Sequence, residues 1–163
     1  MPVIREKDLS QGKNAWAQWR EAAYALANRL VPDIITHNNV SQNDAVQDNA
    51  TQRNALQHTA LTTLSPELPH STWAMAVRYT LFLLECKAPG PGVEVRVAPW
   101  GAVKILDGPA SDPHNLTPPD VIELDPDVWL RLAAGITTWA QEKNVGHISA
   151  VGERDDLSAL LPL

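Results

Sequence analysis

Apolar residues recur every three or four positions near the N-terminus, which is the spacing of one face of a helix. This stripe consists of Trp16, Trp19, Ala23, Leu26 and Leu30. It predicts a helix over residues 13–30 that Pro32 ends. Because the two tryptophans carry large apolar rings, the helix must pack against the body of the protein or against a second copy of the chain.

The pattern then becomes polar before it turns strongly apolar. Residues 36–54 are rich in Asn, Gln and Asp and predict a solvated loop or a weakly held helix, and a second helix follows over residues 51–64. Ser71 or Thr72 is placed to cap a third helix. That segment carries apolar side chains on almost every side, so we expect it at the centre of the core.

Alternating residues then predict a sheet. The apolar positions of the segment VEVRVAPWGAVKIL are separated by Glu94, Arg96 and Lys104, with a turn at Pro99–Gly101, so it predicts an antiparallel hairpin. Residues 107–119 hold several prolines and predict an extended loop that is able to act as a lid. A third strand is predicted over residues 121–124.

The remaining segments carry helix start and stop signals. Asp125 as N-cap, Pro126 at the first helical position and Gly135 as a left-handed cap bound one helix. Thr137 is predicted to cap a short helix, residues 147–151 to form a last strand, and Asp155 to cap a last helix.

These elements predict an α+β fold, with an antiparallel-rich mixed sheet covered on one face by helices. At 163 residues the chain is long enough to bury a core without disulfides or structural metals. We expect residues 1–66 to form an N-terminal helical extension with a polar connecting loop, and residues 67–163 to form the α+β domain.

Charge and cysteine content exclude several kinds of partner. The net charge of −6 argues against nucleic acid and against electrostatic attachment to anionic lipid, both of which need clustered Lys and Arg. The single Cys86 forms no intramolecular disulfide and fits a reducing compartment. No apolar run resembles a signal peptide or is long enough to span a bilayer. We therefore expect a cytoplasmic protein without an integral membrane segment.

Signatures of catalysis and metal binding are missing from the sequence. It has no nucleophile elbow, no phosphate-binding glycine loop and no HExxH motif, so we predict no enzymatic activity, no catalytic residue and no cofactor. Five carboxylates and two histidines matched no standard metal-ligand spacing, so no metal site is predicted. These residues are Asp112, His114, Asp125, Asp127, His147, Asp155 and Asp156.

Tryptophan is overrepresented, with six residues against one Phe and two Tyr. Trp129 and Trp139 either fill a core between helix and sheet or line a pocket for a hydrophobic ligand. Trp100, at the predicted hairpin tip, has no evident reason to be buried, so contact with a ligand or a partner is expected there.

The order of these C-terminal segments resembles the sterol carrier protein family. The hairpin is followed by TPPDVIELDPDVWLRLAAGITTWAQ and by the ending GHISAVGERDDLSALLPL. More narrowly, the block from about residue 73 to residue 163 is similar to the short sterol-carrier-like proteins of actinobacteria. The resemblance implies a sterol-carrier-like fold with an apolar tunnel between sheet and helices, and no covalent chemistry.

Carried over to this chain, the resemblance implies binding or transport of a fatty acid, an acyl-CoA or a sterol-like lipid. The ligand-binding residues that we predict are Val95, Val97, Trp100, Val103, Ile105, Trp129, Leu132 and Trp139. The chain departs from these relatives at two places. The hairpin tip is Ala98-Pro99-Trp100-Gly101 where relatives tend to have Pro-Pro-aromatic-Gly, and Asn115-Leu116-Thr117 replaces an Arg-Gly loop.

Two alternatives keep the same fold. One is a ligand-free interaction module that forms a homodimer through its N-terminal helices, for which an exposed patch of Trp16 and Trp19 would be the sign. The other is an accessory domain related to thiol-dependent isomerases. An internal cavity of several hundred cubic ångströms would favour ligand binding over the interaction module.

Overall fold

The computed structural model describes residues 2–37, 46–108 and 120–163, and these contain five α-helices and four strands. The helices are α1 (Leu9–His37), α2 (Val46–Thr62), α3 (His70–Lys87), α4 (Pro126–Ala134) and α5 (Trp139–Asn144). The strands are β1 (Pro89–Val97), β2 (Gly101–Ile105), β3 (Asp120–Leu124) and β4 (Ile148–Val151).

The four strands form one mixed sheet in the order β2-β1-β3-β4. Strand β1 pairs antiparallel with β2, where Val95 lies opposite Val103, and parallel with β3, where Val95 lies opposite Ile122. Strands β3 and β4 are antiparallel. The predicted α+β fold with an antiparallel-rich mixed sheet and an N-terminal helix is confirmed.

One face of the sheet is apolar and the other is charged, as the alternating sequence predicts. The buried face carries Val93, Val95, Val97, Val103, Ile105, Ile122 and Leu124 and joins the core that the helices form. Glu94 and Arg96 alternate with these valines along β1 and are less buried.

Helix α1 packs closely along α3, and Gly12 permits the approach. A Cβ atom added at Gly12 would lie 2.9 Å from the Cβ of Tyr79 and 2.8 Å from Cδ1 of Ile4. The helix begins at Leu9 and continues past Pro32, so both predicted boundaries are wrong. Proline removes one backbone donor but keeps a helical φ, and a long helix with a packed N-terminal half tolerates this loss.

Other boundaries in the N-terminal half also differ from the prediction. Helix α2 begins at Val46, before the predicted start at residue 51 and inside the stretch for which a solvated loop or a weakly held helix was predicted. Residues 38–45 of that stretch lie outside the described residues. Helix α3 starts at His70 directly after Pro69, without a side-chain cap from Ser71 or Thr72. Helix α3 is fully buried on one face only, whereas we expected apolar contacts on almost every side. Phe82 and Leu83, outside that face, are half-buried.

The C-terminal signals predicted α4, a short helix after it and the last strand correctly, since β4 runs over Ile148–Val151 where residues 147–151 were predicted. They misplaced the cap of α5 and predicted a last helix that does not form. Asp125, Pro126 and Gly135 bound α4 at the predicted positions, with Gly135 at a φ of 70°, but the side chain of Asp125 accepts no capping hydrogen bond. Thr138, not Thr137, caps α5 through a reciprocal capping box with Gln141. Residues 155–163 contain a turn at residues 158–160 and no helix. Asp155 pairs with Lys143 at 3.1 Å, and Oδ1 of Asp156 accepts a hydrogen bond from the backbone N–H of Ser158 at 2.7 Å. Leu157 is buried.

A single apolar cluster crosses the predicted domain boundary at residue 66. Trp16, Trp19 and Leu64 from the extension belong to the same cluster as the buried face of the sheet and α4. The division into residues 1–66 and 67–163 stays a prediction, and the two parts share one core. Most of the predicted loop over residues 107–119 lies outside the described residues.

Candidate ligand-binding cleft

Four tryptophans form a continuous row from the N-terminal helix to the hairpin tip. Trp16 stacks on Trp19 with ring centroids 5.7 Å apart, and Trp19 meets Trp73 of α3 edge-on, also at 5.7 Å. Trp73 stacks on Trp100 at 6.2 Å with an angle of 28° between the planes. The expected need to bury Trp16 and Trp19 is therefore met within the chain, where they are 5% and 0% exposed.

Three contacts fix Trp100 at the end of this row. The backbone N–H of Trp100 donates to the carbonyl of Val97 at 3.0 Å, and Nε of Arg78 donates to the carbonyl of Trp100 at 3.0 Å. At Gly101 an added Cβ would lie 2.7 Å from Cγ2 of Val3 and 3.2 Å from Cδ1 of Leu81. The tip of the hairpin therefore rests directly on α3 and on the N-terminal segment, which directs the Trp100 ring.

An open cleft of about 310 Å³ lies beside Trp73 and Trp100. Its walls come from the segment between α2 and α3, from the hairpin tip and from the start of α4. The lining residues are Ser65, Pro66, Glu67, Leu68, His70, Trp73, Trp100, Pro126 and Asp127. The volume is at the lower end of the range for small-molecule sites, and aromatic side chains with a few polar groups are the usual lining of such sites.

A buried charged network lies behind the cleft and holds Asp127. Arg131 is fully buried and donates to Glu142 twice, from Nε to Oε1 at 2.8 Å and from Nη2 to Oε2 at 3.3 Å. Its Nη1 donates to Oδ2 of Asp127 and to the carbonyl of Leu64, both at 2.8 Å. The network therefore joins α4 to α5 and to the end of the helical extension.

Glu142 has two further partners within this network. The hydroxyl of Thr137 donates to Oε1 at 2.7 Å, and Nδ1 of the half-buried His147 lies 2.7 Å from Oε2. Burial lowers the pKa of Arg131, but its hydrogen bonds to Glu142 and Asp127 more than offset this effect and raise the pKa above its ordinary value. The guanidinium is therefore a permanent positive charge in the interior.

The predicted site residues occupy two different environments. Trp100 lines the cleft, and its predicted contact with a ligand or a partner stays a prediction. The other predicted residues lie in the core, packed in one cluster, and their exposed fractions are between 0% and 5%. They are Val95, Val97, Val103, Ile105, Trp129, Leu132 and Trp139. Their role as tunnel walls stays a prediction.

The two core tryptophans of this set differ in their polar contacts. Nε1 of Trp129 donates to Oγ1 of Thr80 at 2.8 Å, in the interior between α4 and α3. Nε1 of Trp139 is buried and finds no acceptor among the described residues.

Several cleft residues escaped the sequence analysis. Glu67, Leu68 and His70 come from the segment SPELPH, in which two prolines hold an extended connection between α2 and α3. We considered Asp127 only as a possible metal ligand, and we assigned no role to His70. The pair of prolines was the available signal for a rigid segment.

A second groove of about 440 Å³ lies at the charged face of the sheet. Arg96 donates there to Glu94 at 2.5 Å and to Glu123 at 3.1 Å, and these hydrogen bonds raise the pKa of Arg96. Ser149 and His147 also line this groove. Because charges of both signs alternate across it, the surface is typical of a solvated sheet face.

Three further observations concern the described part of the chain. No group of three or more His, Cys, Asp or Glu side chains is placed there to hold a metal ion. None of its helices combines the length and the apolar character needed to cross a membrane. Cys86 is exposed.

Comparison with known protein families gives a match that covers the C-terminal part of the chain. A search of curated proteins finds no relative that matches. The family model of bacterial SCP orthologues matches residues 69–163, which is more than half of the chain and covers α3, the whole sheet, α4 and α5. The chain therefore belongs to the family of bacterial sterol carrier protein orthologues.

Proposed function

We propose that the protein binds a hydrophobic small molecule without changing it chemically, and that the cleft beside Trp100 is the binding site. Membership of a sterol-carrier-like family supports a lipid-binding or carrier role. The observation that carries the proposal is the half-buried Trp100 ring, which stacks on Trp73 and lines an open cavity of about 310 Å³.

The cleft is a better candidate than a tunnel between sheet and helices. Each core side chain such as Val95 or Leu132 contributes about 1.5 to 3 kcal/mol of stability through burial. A ligand chain gains only about 0.8 kcal/mol for each methylene that it buries. Separating several core side chains to open a tunnel would therefore cost more free energy than a short acyl chain returns.

The surface that we expected for an interaction module, an exposed patch of Trp16 and Trp19, does not form. Trp16 and Trp19 would form the contact between two copies, but both rings are buried against α3 within one chain. A homodimer through the N-terminal helices would have to use other residues. Ligand binding is therefore the function that we favour.

The proposal is tested first by native mass spectrometry of the purified protein, with organic extraction of any bound molecule. Binding of the neutral dye N-phenylnaphthylamine is then compared in the unchanged protein, in Trp100→Leu and in Phe82→Leu. Phe82 is a half-buried aromatic residue of α3 that does not line the cleft, so it serves as a matched control.

We expect Trp100→Leu to weaken dye binding by about ten-fold, since a large aromatic contact is removed. Phe82→Leu should leave binding unchanged. A protein that carries no extractable lipid and takes up no dye would contradict the proposal. So would equal effects of the two substitutions.

A further inference from the structure

We infer that the ligand of the cleft is an amphipathic cation, in which an apolar body carries a protonated or quaternary amine. The inference rests on the proposed function of the same cleft and adds the charge of the head group. It opposes the anionic ligands, fatty acid and acyl-CoA, that the family resemblance implies.

The charges that line the cleft are mainly negative. Glu67 and Asp127 both line it, and none of the described lining residues is Lys or Arg. The one basic side chain among them is His70. Glu67 is exposed and forms no ion pair with another described residue, so its carboxylate is available to a ligand.

The negative charge of Asp127 is only partly neutralised by the buried Arg131. Its Oδ2 accepts a 2.8 Å hydrogen bond from Arg131, and its side chain remains 36% exposed. The same guanidinium also pairs with the fully buried Glu142, so one positive charge is shared between two negative carboxylates. His147 contacts Glu142 on the side of the other groove and not in the cleft.

The other nearby guanidinium does not enter the cleft. Arg78 donates to the backbone carbonyl of Trp100, and its side chain lines a separate groove together with Arg5 and Asp8. An anionic head group would therefore meet two carboxylates and no cationic side chain of Lys or Arg among the described lining residues.

The aromatic walls add attraction for a cation. The rings of Trp100 and His70 lie 6.3 Å apart with planes at 84°, so they form two walls of a corner, and Trp73 stacks behind Trp100. The face of a tryptophan ring attracts cations through its quadrupole. The chain already contains one such contact, because the guanidinium of Arg20 lies 5.6 Å from the ring centroid of Trp16.

The test uses three amphiphiles with the same dodecyl chain and different heads: dodecyltrimethylammonium, dodecyl maltoside and laurate. For each amphiphile we measure how well it displaces N-phenylnaphthylamine from the full chain, at amphiphile concentrations below its own critical micelle concentration. We expect the cation to bind about ten-fold more tightly than the neutral and anionic compounds, with an advantage that falls as salt is added. Laurate binding as tightly as the cation would overturn the inference and leave the proposed function intact. Failure of all three to bind would overturn the proposed function as well.

Two variants that change the net charge equally test whether the preference for a cation arises in the cleft. Glu67→Gln should weaken binding of the cation by about three- to ten-fold and leave the maltoside unchanged. Glu153→Gln removes an exposed carboxylate that does not line the cleft and should change neither. Equal losses in both variants, or an equal loss for cation and maltoside in Glu67→Gln, would overturn the inference.

Discussion

Arg131 and Glu142 form a two-point ion pair in which neither side chain is exposed to solvent. Arg131 belongs to α4 and Glu142 to α5, and Nη1 of the same guanidinium also binds the carbonyl of Leu64. The pair therefore connects three segments that are distant in the sequence. Because buried charges tolerate little mismatch, this contact fixes how α5 sits against α4.

Removing one partner of this pair should destabilise the protein strongly. We expect Arg131→Met to lower the free energy of unfolding by about 3 to 5 kcal/mol, since Glu142 is then buried without its guanidinium. Urea denaturation measures the loss. In a double-mutant cycle, Arg131→Met with Glu142→Leu should lose less than the sum of the two single variants. Strict additivity would show that the pair is not coupled.

Trp129 should behave as a core residue. We expect Trp129→Ala to cost about 3 to 5 kcal/mol of unfolding free energy, because the ring is fully buried and leaves a cavity. Thr80→Val removes the acceptor of the indole hydrogen bond and also the hydroxyl's own hydrogen bonds to the carbonyls of Ala76 and Val77, and it should cost about 1 to 3 kcal/mol. A loss for Trp129→Ala well under 1 kcal/mol, with weakened ligand binding, would instead make the ring a pocket wall.

Stability should fall in acid because of Asp120. Burial raises the pKa of this carboxyl, but hydrogen bonds from the Arg154 side chain and the backbone N–H of Glu153, each 2.8 Å long, outweigh burial and lower the pKa below its ordinary value. A lowered pKa in the folded state stabilises the protein above the unfolded value of about 3.9. The stabilisation is lost as the pH falls through the folded value.

Thermal denaturation between about pH 6 and pH 2 checks this prediction. Asp120→Asn should be less stable than the unchanged chain at neutral pH, and the difference between the two should shrink as the pH falls. Glu153→Gln, which keeps the backbone N–H and changes only an exposed side chain, should follow the unchanged chain. A constant difference between Asp120→Asn and the unchanged chain across this range would contradict the prediction.

The fragment of residues 67–163 tests the predicted domain division. Without the extension, Trp73 loses its contact with Trp19, and the core cluster loses Leu64. We expect the fragment to aggregate or to unfold at a much lower temperature than the full chain, because its α3 face becomes exposed. A fragment that unfolds cooperatively near the temperature of the full chain would support two independent domains.

Local signals in the sequence predicted the elements whose ends depend on neighbouring residues. The Asp125-Pro126 start and the Gly135 end of α4 are correct because capping is decided within a few residues. Thr137 and Thr138 are equally suitable caps by type, and the choice depends on Thr137 donating to the buried Glu142. No local pattern contains that contact.

The candidate cleft was less predictable than the fold. The position of Trp100 at a hairpin tip follows from the sequence, which predicted contact with a ligand or a partner there but no cleft. Its partner Trp73 comes from α3, and Asp127 reaches the same cleft from α4. Residues from three distant segments meet there only because the sheet and helices pack in one arrangement, and spacing along the chain does not record that arrangement.

The tryptophans of this row are synthesised at different times. Trp16 and Trp19 are synthesised well before Trp73, the ring against which Trp19 packs. At typical translation speeds about 3 to 11 seconds separate Trp19 from Trp73. During that interval the two indole rings of α1 have no aromatic partner from α3. Translation speed, and not the folding rate of the finished chain, therefore sets how long this apolar stripe is exposed to the ribosome surface and to chaperones.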